Sequence, residues 1–228
     1  MRRLYRLFWL PLYRRWALRH IRQERLFQYS PMKLIIPPGV FHPGIYFSTP
    51  ILLDFLQQAD FKGKRVLDVG TGSGALGIYA ALKGAIATAI DINPQAVETA
   101  RLNAARNGLK AVEHAPGMIA RYSDLFDEVP RQVFDFILIN PPFYAIQPEN
   151  NAEHAFYAGP ELAYFDKLFR QMPAYMTDTT RVWMILSEDC DFRIITAWAA
   201  RYGLELPVVF TRKKWGERLF IVQVCKVG

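Results

Sequence analysis

Residues 65–77 constrain this chain more than any other stretch. Arg65-Val66-Leu67-Asp68-Val69 is short and mostly apolar, and Gly70-Thr71-Gly72-Ser73-Gly74 follows it before a helix-forming run. The pattern reads as a strand that ends in a glycine-rich turn and opens a helix. Without a Cβ, glycine takes positive φ and lets a ligand approach the backbone. The helix start beyond the turn offers unpaired N–H groups to a polar ligand. Such a turn also serves as a plain strand-to-helix connection, so the rest of the chain has to decide its meaning.

From Lys64 onward, strands and helices alternate. Apolar runs predict strands over 65–69, 85–92, 118–123, 133–139 and 181–187. Between them lie helices ending near 83, and over 94–107, 161–172 and 191–201. Asn107-Gly108 stops one helix, and Asn140-Pro141-Pro142 ends the most apolar strand. The last segments, 207–212 and 218–226, read as a hairpin around Lys213–Glu217. Apolar strands alternating with helices form a parallel sheet covered on both faces. The predicted fold is α/β: a doubly wound, mostly parallel seven-stranded sheet with an antiparallel terminal hairpin. Upstream, 51–59 reads as a helix with Ser48 or Thr49 as its cap and Pro50 in its first turn. Residues 31–50, rich in proline and glycine, read as a loop.

With 228 residues, half of them apolar, the chain suits one domain with a short extension. Its charge is concentrated. Residues 1–25 hold eight arginines and one acid, Glu24, which accounts for the whole net charge of +7. The predicted division is therefore a basic, aromatic-rich helical arm over 1–30 and a neutral body over 31–228. Arginines cut the arm into apolar pieces far shorter than the roughly 20 residues a membrane span needs. Its short apolar centre, followed by Arg14-Arg15, does not fit a secretory signal. Three readings of the arm stand: a helix on an anionic membrane surface, a contact to nucleic-acid phosphates, or a cap packed on the body. Two distant cysteines, Cys190 and Cys225, and four scattered histidines form no metal-ligand spacing. They fit a reducing, cytoplasmic setting, with a peripheral membrane position as the variant the arm allows.

In an open α/β sheet, ligands bind outside the carboxyl ends of the strands. Four features fall there: the turn Gly70–Gly74 preceded by Asp68, then Asp91, then Asp124, then Asn140-Pro141-Pro142-Phe143. An acid placed like Asp91 accepts hydrogen bonds from both ribose hydroxyls of a nucleoside. Asp124 is placed to accept from an adenine amino group. Singly, each acid also reads as a helix cap or turn residue, and the prolines as a simple strand end. Together and in this order, they point to a nucleoside-containing ligand.

These residues resemble the class I S-adenosylmethionine-dependent methyltransferases. The match rests on Asp68-Val69-Gly70-Thr71-Gly72-Ser73-Gly74, Asp91-Ile92-Asn93-Pro94, Asp124-Leu125-Phe126 and Asn140-Pro141-Pro142-Phe143. More narrowly, they are similar to the methyltransferase small group, which includes release-factor glutamine methyltransferases and RNA base N-methyltransferases. The resemblance implies a Rossmann-like methyltransferase fold and S-adenosyl-L-methionine as cofactor. It implies cofactor contacts at Asp68, Gly70, Thr71, Gly72, Gly74, Asp91, Asp124 and Asn140. It also places a cofactor-covering segment at 41–49, with Thr49 as a contact. Asn140, Pro141, Pro142 and Phe143 are the implied catalytic residues, acting on a planar amino group of an RNA base or a protein glutamine. No metal is required. The alternatives are a small-molecule methyltransferase, or a non-catalytic S-adenosylmethionine-binding module docked on membrane or nucleic acid. The N-terminal part is shorter and far richer in arginine than the substrate-binding domain of the release-factor enzymes.

Overall fold

The structure, a computed structural model, describes residues 23–214 and 216–227. The first 22 residues of the predicted arm lie outside the described residues. The chain then enters a hairpin of β1 (Arg25–Tyr29) and β2 (Met32–Ile36), paired antiparallel. β1 falls within the stretch read as the arm, and β2 replaces the first part of the loop expected over 31–50. Met32, Leu34 and Ile36 alternate inward and are buried, as a strand with one wet face requires. Among the described residues, no strand lies beside the outer edge of β2. Instead, Asn103 and Asn107, one turn apart on α3 (Pro94–Arg106) and its C-cap, hydrogen-bond the Lys33 and Ile35 backbone N–H and C=O groups at 2.7–3.0 Å. Two side-chain amides thus stand in for a neighbouring strand.

The main sheet holds β3 (Arg65–Val69), β4 (Ile86–Asp91), β5 (Gly117–Tyr122), β6 (Phe136–Ile139), β7 (Arg181–Ser187), β8 (Leu204–Glu205), β9 (Val208–Lys214) and β10 (Glu217–Lys226). Its order is β5-β4-β3-β6-β7-β10, with β8 and β9 both on the outer side of β10. β3 to β7 run parallel, and β10 is antiparallel to β7. The sheet therefore has seven strand positions, the last split in two at Leu206-Pro207. Order reverses between β3 and β6, which opens a crevice at their carboxyl ends.

Both faces of the sheet are covered. Val66, Phe136, Leu138, Trp183 and Ile185 face one apolar cluster with α1 (Ser48–Leu56), α2 (Ala75–Leu82) and α3. Leu67, Ile137, Ile139, Val182, Met184 and Leu186 face the other, with α4 (Ala163–Gln171) and α5 (Phe192–Arg201). Alternate residues serve opposite faces, so each central strand reads as a continuous apolar run. Asp68 is the exception in β3.

Several predicted boundaries shift for physical reasons. α1 starts at Ser48 with Phe47 as its N-cap, and no side chain caps it. Ser48 and Thr49 are buried in its first turn instead, because Thr49 is engaged across the crevice. Pro50 sits in that turn, where its missing N–H costs nothing. β6 begins only at Phe136, and Val133 is exposed in the loop before it. The helix expected over 161–172 is a 3-10 turn at Pro160–Leu162 followed by α4, with Glu161 and Leu162 in left-handed backbone. Among the described residues, no helix is long and apolar enough to cross a membrane.

Candidate active site

Strand register brings the four flagged features side by side. Val69 pairs with Ile90 and with Ile139, so Gly70 lies between Asp91 on one neighbouring strand and Asn140 on the other. Asp91 pairs with Tyr122, which puts Ser123-Asp124 next along the same edge. The feature order read from sequence is thus a spatial row of strand ends.

The glycine turn is held from below. The Gly70 and Thr71 N–H groups both donate to the Ile90 carbonyl at 2.9 Å, and Gly74 N–H donates to the Thr71 carbonyl. Gly70 has φ +69°, and a Cβ there would meet nothing within 4 Å. Its backbone is open to an incoming group. Gly74 is required for another reason. A Cβ there would stand 2.8 Å from Ile78 Cδ1 and 3.2 Å from Ala100 Cα, so this glycine lets α2 pack on α3.

Asp68 is buried beneath the turn. Its Oδ2 accepts from Thr71 Oγ1 at 2.6 Å and from Gly77 N–H at 2.8 Å. Its Oδ1 is buried with no hydrogen-bond partner among the described residues. Burial pushes its carboxyl up to about 6, against the two donors that lower it, and nearby Asp91 adds to the rise. Asp91 accepts from Gly72 N–H through Oδ2 and from Asn93 N–H through Oδ1, both at 2.8 Å. Burial raises its carboxyl also, and those N–H groups oppose the rise.

Asp124 is ion-paired, at 2.6 Å, with Lys167 of α4, which also reaches Asp127 at 2.7 Å. The loop is set by buried Ser123, whose Oγ donates to the Leu125 carbonyl and accepts from Glu128 N–H. Across the crevice, Asn140 Nδ2 donates to Thr49 Oγ1 at 3.0 Å. Asn140 Oδ1 is left without a partner among the described residues. Pro141 and Pro142 are buried behind it, and Phe143 is half-buried.

Two further segments border the crevice. Gln95 Nε2 donates to the Pro38 carbonyl at 2.9 Å, and Asn93 Nδ2 to the Gly39 carbonyl at 3.4 Å. These bonds tie the loop after β2 to the start of α3. Phe41 of that loop stacks on Tyr46 at 5.2 Å, and Phe156 packs on both at 5.9 and 5.7 Å. The Phe156 carbonyl in turn accepts from Phe143 and Tyr144 N–H. The covering segment and Asn140-Pro141-Pro142-Phe143 are therefore joined through Phe156. Sequence reasoning singled out 41–49 but missed Phe156, which has no local signal. It also missed Tyr164, whose hydroxyl is buried and unpartnered among the described residues.

Comparison with known proteins decides the lineage. Residues 31–186 match the methyltransferase small domain. The chain belongs to the methyltransferase small family. Membership assigns this domain to the S-adenosylmethionine-dependent methyltransferases. Among relatives, the chain is 30% identical over 187 residues to the ribosomal RNA small subunit methyltransferase C of Chromohalobacter salexigens, covering 77% of this chain and 54% of that one. It is 37% identical over 123 residues to the ribosomal protein L11 methyltransferase of Pseudomonas paraeruginosa, covering 52% and 40%. The chain thus spans about half the length of these relatives or less. The T. thermophilus 16S rRNA N2 G1207 methyltransferase, solved with AdoMet and guanosine, shares the fold. Its TM-score is 0.61 at 19% identity, covering 88% of this chain and 50% of that one.

The residues of this methyltransferase small domain fit S-adenosylmethionine. The open backbone at Gly70 and the unpartnered Asp68 Oδ1 suit a cationic amino-acid portion. Asp91 keeps lone pairs for a ribose diol beyond the two N–H groups it accepts. Among the described residues, no group of three or more His, Cys, Asp or Glu side chains is placed to hold a metal ion.

Proposed function

We propose that this chain methylates a planar amino nitrogen, the exocyclic amine of an RNA base or the side-chain amide of a protein glutamine. The observation that carries this reading is Asn140. Its amide nitrogen donates to Thr49, which leaves its carbonyl oxygen available to an N–H donor at a strand end next to Gly70.

When bound, S-adenosylmethionine supplies an electrophilic methyl group on a sulfonium. Gly70, Gly72 and Gly74, with Thr71, line its methionine portion, and Asp68 Oδ1 accepts from its ammonium. Asp91 holds the ribose hydroxyls and Asp124 the adenine amine, while Thr49 acts by fixing Asn140. An amide or aryl NH₂ is a poor nucleophile because its lone pair is delocalised. Asn140 Oδ1 and the Pro141 carbonyl each accept one of its N–H groups, which holds the nitrogen and directs its lone pair. Pro141 and Pro142 stiffen that pair of acceptors, so little reorganisation is needed at transfer. Phe143 stacks on the flat acceptor, and the proton leaves to solvent after transfer. The rate gain comes mainly from proximity and orientation.

The 30% identity to a relative named for ribosomal RNA supports the RNA reading. So does the arginine-rich segment over 1–25, which suits RNA phosphates, although it suits an anionic membrane surface as well. We place the protein in the cytoplasm and assign the arm, read over 1–30, to the residues before β1, since Arg25–Tyr29 pairs with β2 of the methyltransferase domain. Labelled S-adenosylmethionine supplied to a cell extract tests the reading. Label is expected in RNA or protein with wild type and absent with Asn140→Ala. Equal labelling by both proteins refutes the catalytic assignment, and label confined to small molecules refutes the acceptor class.

A further inference from the structure

Tyr164 stands in the first turn of α4, behind Glu161 (φ +50°) and Leu162 (φ +58°). With Leu125 (φ +54°), directly after Asp124, these are the non-glycine residues of positive φ among the described residues. Such backbone persists only where its surroundings over-determine it, which concentrates it at ligand sites. Tyr164 itself is held firmly. Its N–H donates to the Ala158 carbonyl at 2.9 Å, and its ring meets Phe165 edge-on at 5.3 Å. Lys167, three residues on and on the same helix face, is bonded to Asp124. That bond sets this face of α4 against the end of β5.

The Tyr164 hydroxyl is buried and has no hydrogen-bond partner among the described residues. A buried hydroxyl is almost always bonded, because leaving it unpaired forfeits its bonds to water. Burial, then the charges of Asp91, Asp124 and Asp68, hold the phenol above its ordinary range, so it stays protonated. It is a buried donor near enough to feel the charges of Asp91, Asp124 and Asp68, and it is bonded to none of them among the described residues. The gap suits a ligand carrying an acceptor atom.

We propose that Tyr164 is a cofactor-binding residue whose hydroxyl donates a hydrogen bond to the nucleoside portion of S-adenosylmethionine, in the crevice bordered by Asp91 and Asp124. The proposal rests on the cofactor reading given above. It assigns α4 a direct part in the site, beyond covering the sheet. It also gives the left-handed turn at Glu161-Leu162, which opens α4 just before Tyr164, a part in presenting that residue.

Tyr164→Phe removes only the hydroxyl. Apo Tm and calorimetric affinity for S-adenosylhomocysteine and for 5′-methylthioadenosine, which lacks the amino-acid portion, are compared with wild type. The apo variant is expected to melt at or above the wild-type Tm, since an unsatisfied group has been removed. Both affinities are expected to fall about fivefold to tenfold, the loss of one hydrogen bond. A lower apo Tm shows that the hydroxyl already has a partner and overturns the proposal. So does unchanged affinity for either compound. Failure of wild type to bind either compound overturns the cofactor reading itself, a distinct result.

Discussion

Lowering the pH should weaken cofactor binding through Asp68, and by a calculable amount. Burial raises the Asp68 carboxyl from an ordinary value of 3.8 to about 6 in the ligand-free protein. The folded state therefore holds this proton more tightly than the unfolded one. The stability linked to this group is full below the unfolded value, falls as pH rises through 6, and is flat above. A shift of that size corresponds to about 3 kcal/mol across the interval. A ligand ammonium at the unpartnered Oδ1 favours the ionised form and draws the carboxyl back toward its ordinary value. Binding at about pH 5 then has to release a proton that is already gone at about pH 7.5, and the affinity difference is about tenfold. Titration calorimetry with S-adenosylhomocysteine over this range measures it. Asp91, raised by burial and lowered in part by the charge of His154, stands beside Asp68. Asp91 and His154 both remain in Asp68→Asn, so the difference between the two proteins isolates Asp68. The same pH slope in both proteins refutes the reasoning.

Three other substitutions test separate parts of the structure. Thr49→Val removes the hydroxyl that holds Asn140 Nδ2. Methyl transfer is expected to slow about tenfold while S-adenosylhomocysteine affinity is unchanged, as steady-state kinetics and calorimetry would report. Gly74→Ala drives a Cβ into Ile78 and Ala100 at φ +92°. Urea unfolding is expected to show a loss of about 2–3 kcal/mol. Asn103→Ala strips bonds from Ile35 N–H, Ile35 C=O and the buried Ser73 C=O. It is expected to destabilise by about 2–4 kcal/mol in the same assay, since it leaves buried backbone groups unpaired.

The legible parts of this fold are those whose signals are local. Strands 65–69 and 181–187 match to the residue, because apolar runs buried on both faces end in glycine or polar turns. Asp91, Asp124 and Asn140 were legible because strand ends are marked in sequence. What those residues touch was not. Thr49 read as one of two candidate helix caps and as a cofactor contact, yet its hydroxyl accepts from Asn140, 91 residues on. Asp124 read as a free acceptor, yet it shares Lys167 with Asp127. β2 was hidden because Pro37-Pro38-Gly39 dominates its neighbourhood, and because its edge is completed by asparagines about 70 residues away.

One of those asparagines also anchors the glycine turn. Asn103 Nδ2 bonds both the Ile35 carbonyl and the Ser73 carbonyl at 2.9–3.0 Å. One side chain thus joins β2, α3 and the turn, just below the backbone that Gly70 leaves open. The covering segment that starts after β2 is fixed at the other end of α3 by Asn93 and Gln95. Helix α3 therefore sets both the floor and the cover of the crevice. The bond at Pro38 is exposed and the one at Gly39 is partly buried, but Val40 and Ile45 are buried and Phe41 and Tyr46 pack on Phe156. Moving 37–47 therefore has to part these rings as well, which couples the cover to Asn140-Pro141-Pro142-Phe143 through the Phe156 carbonyl.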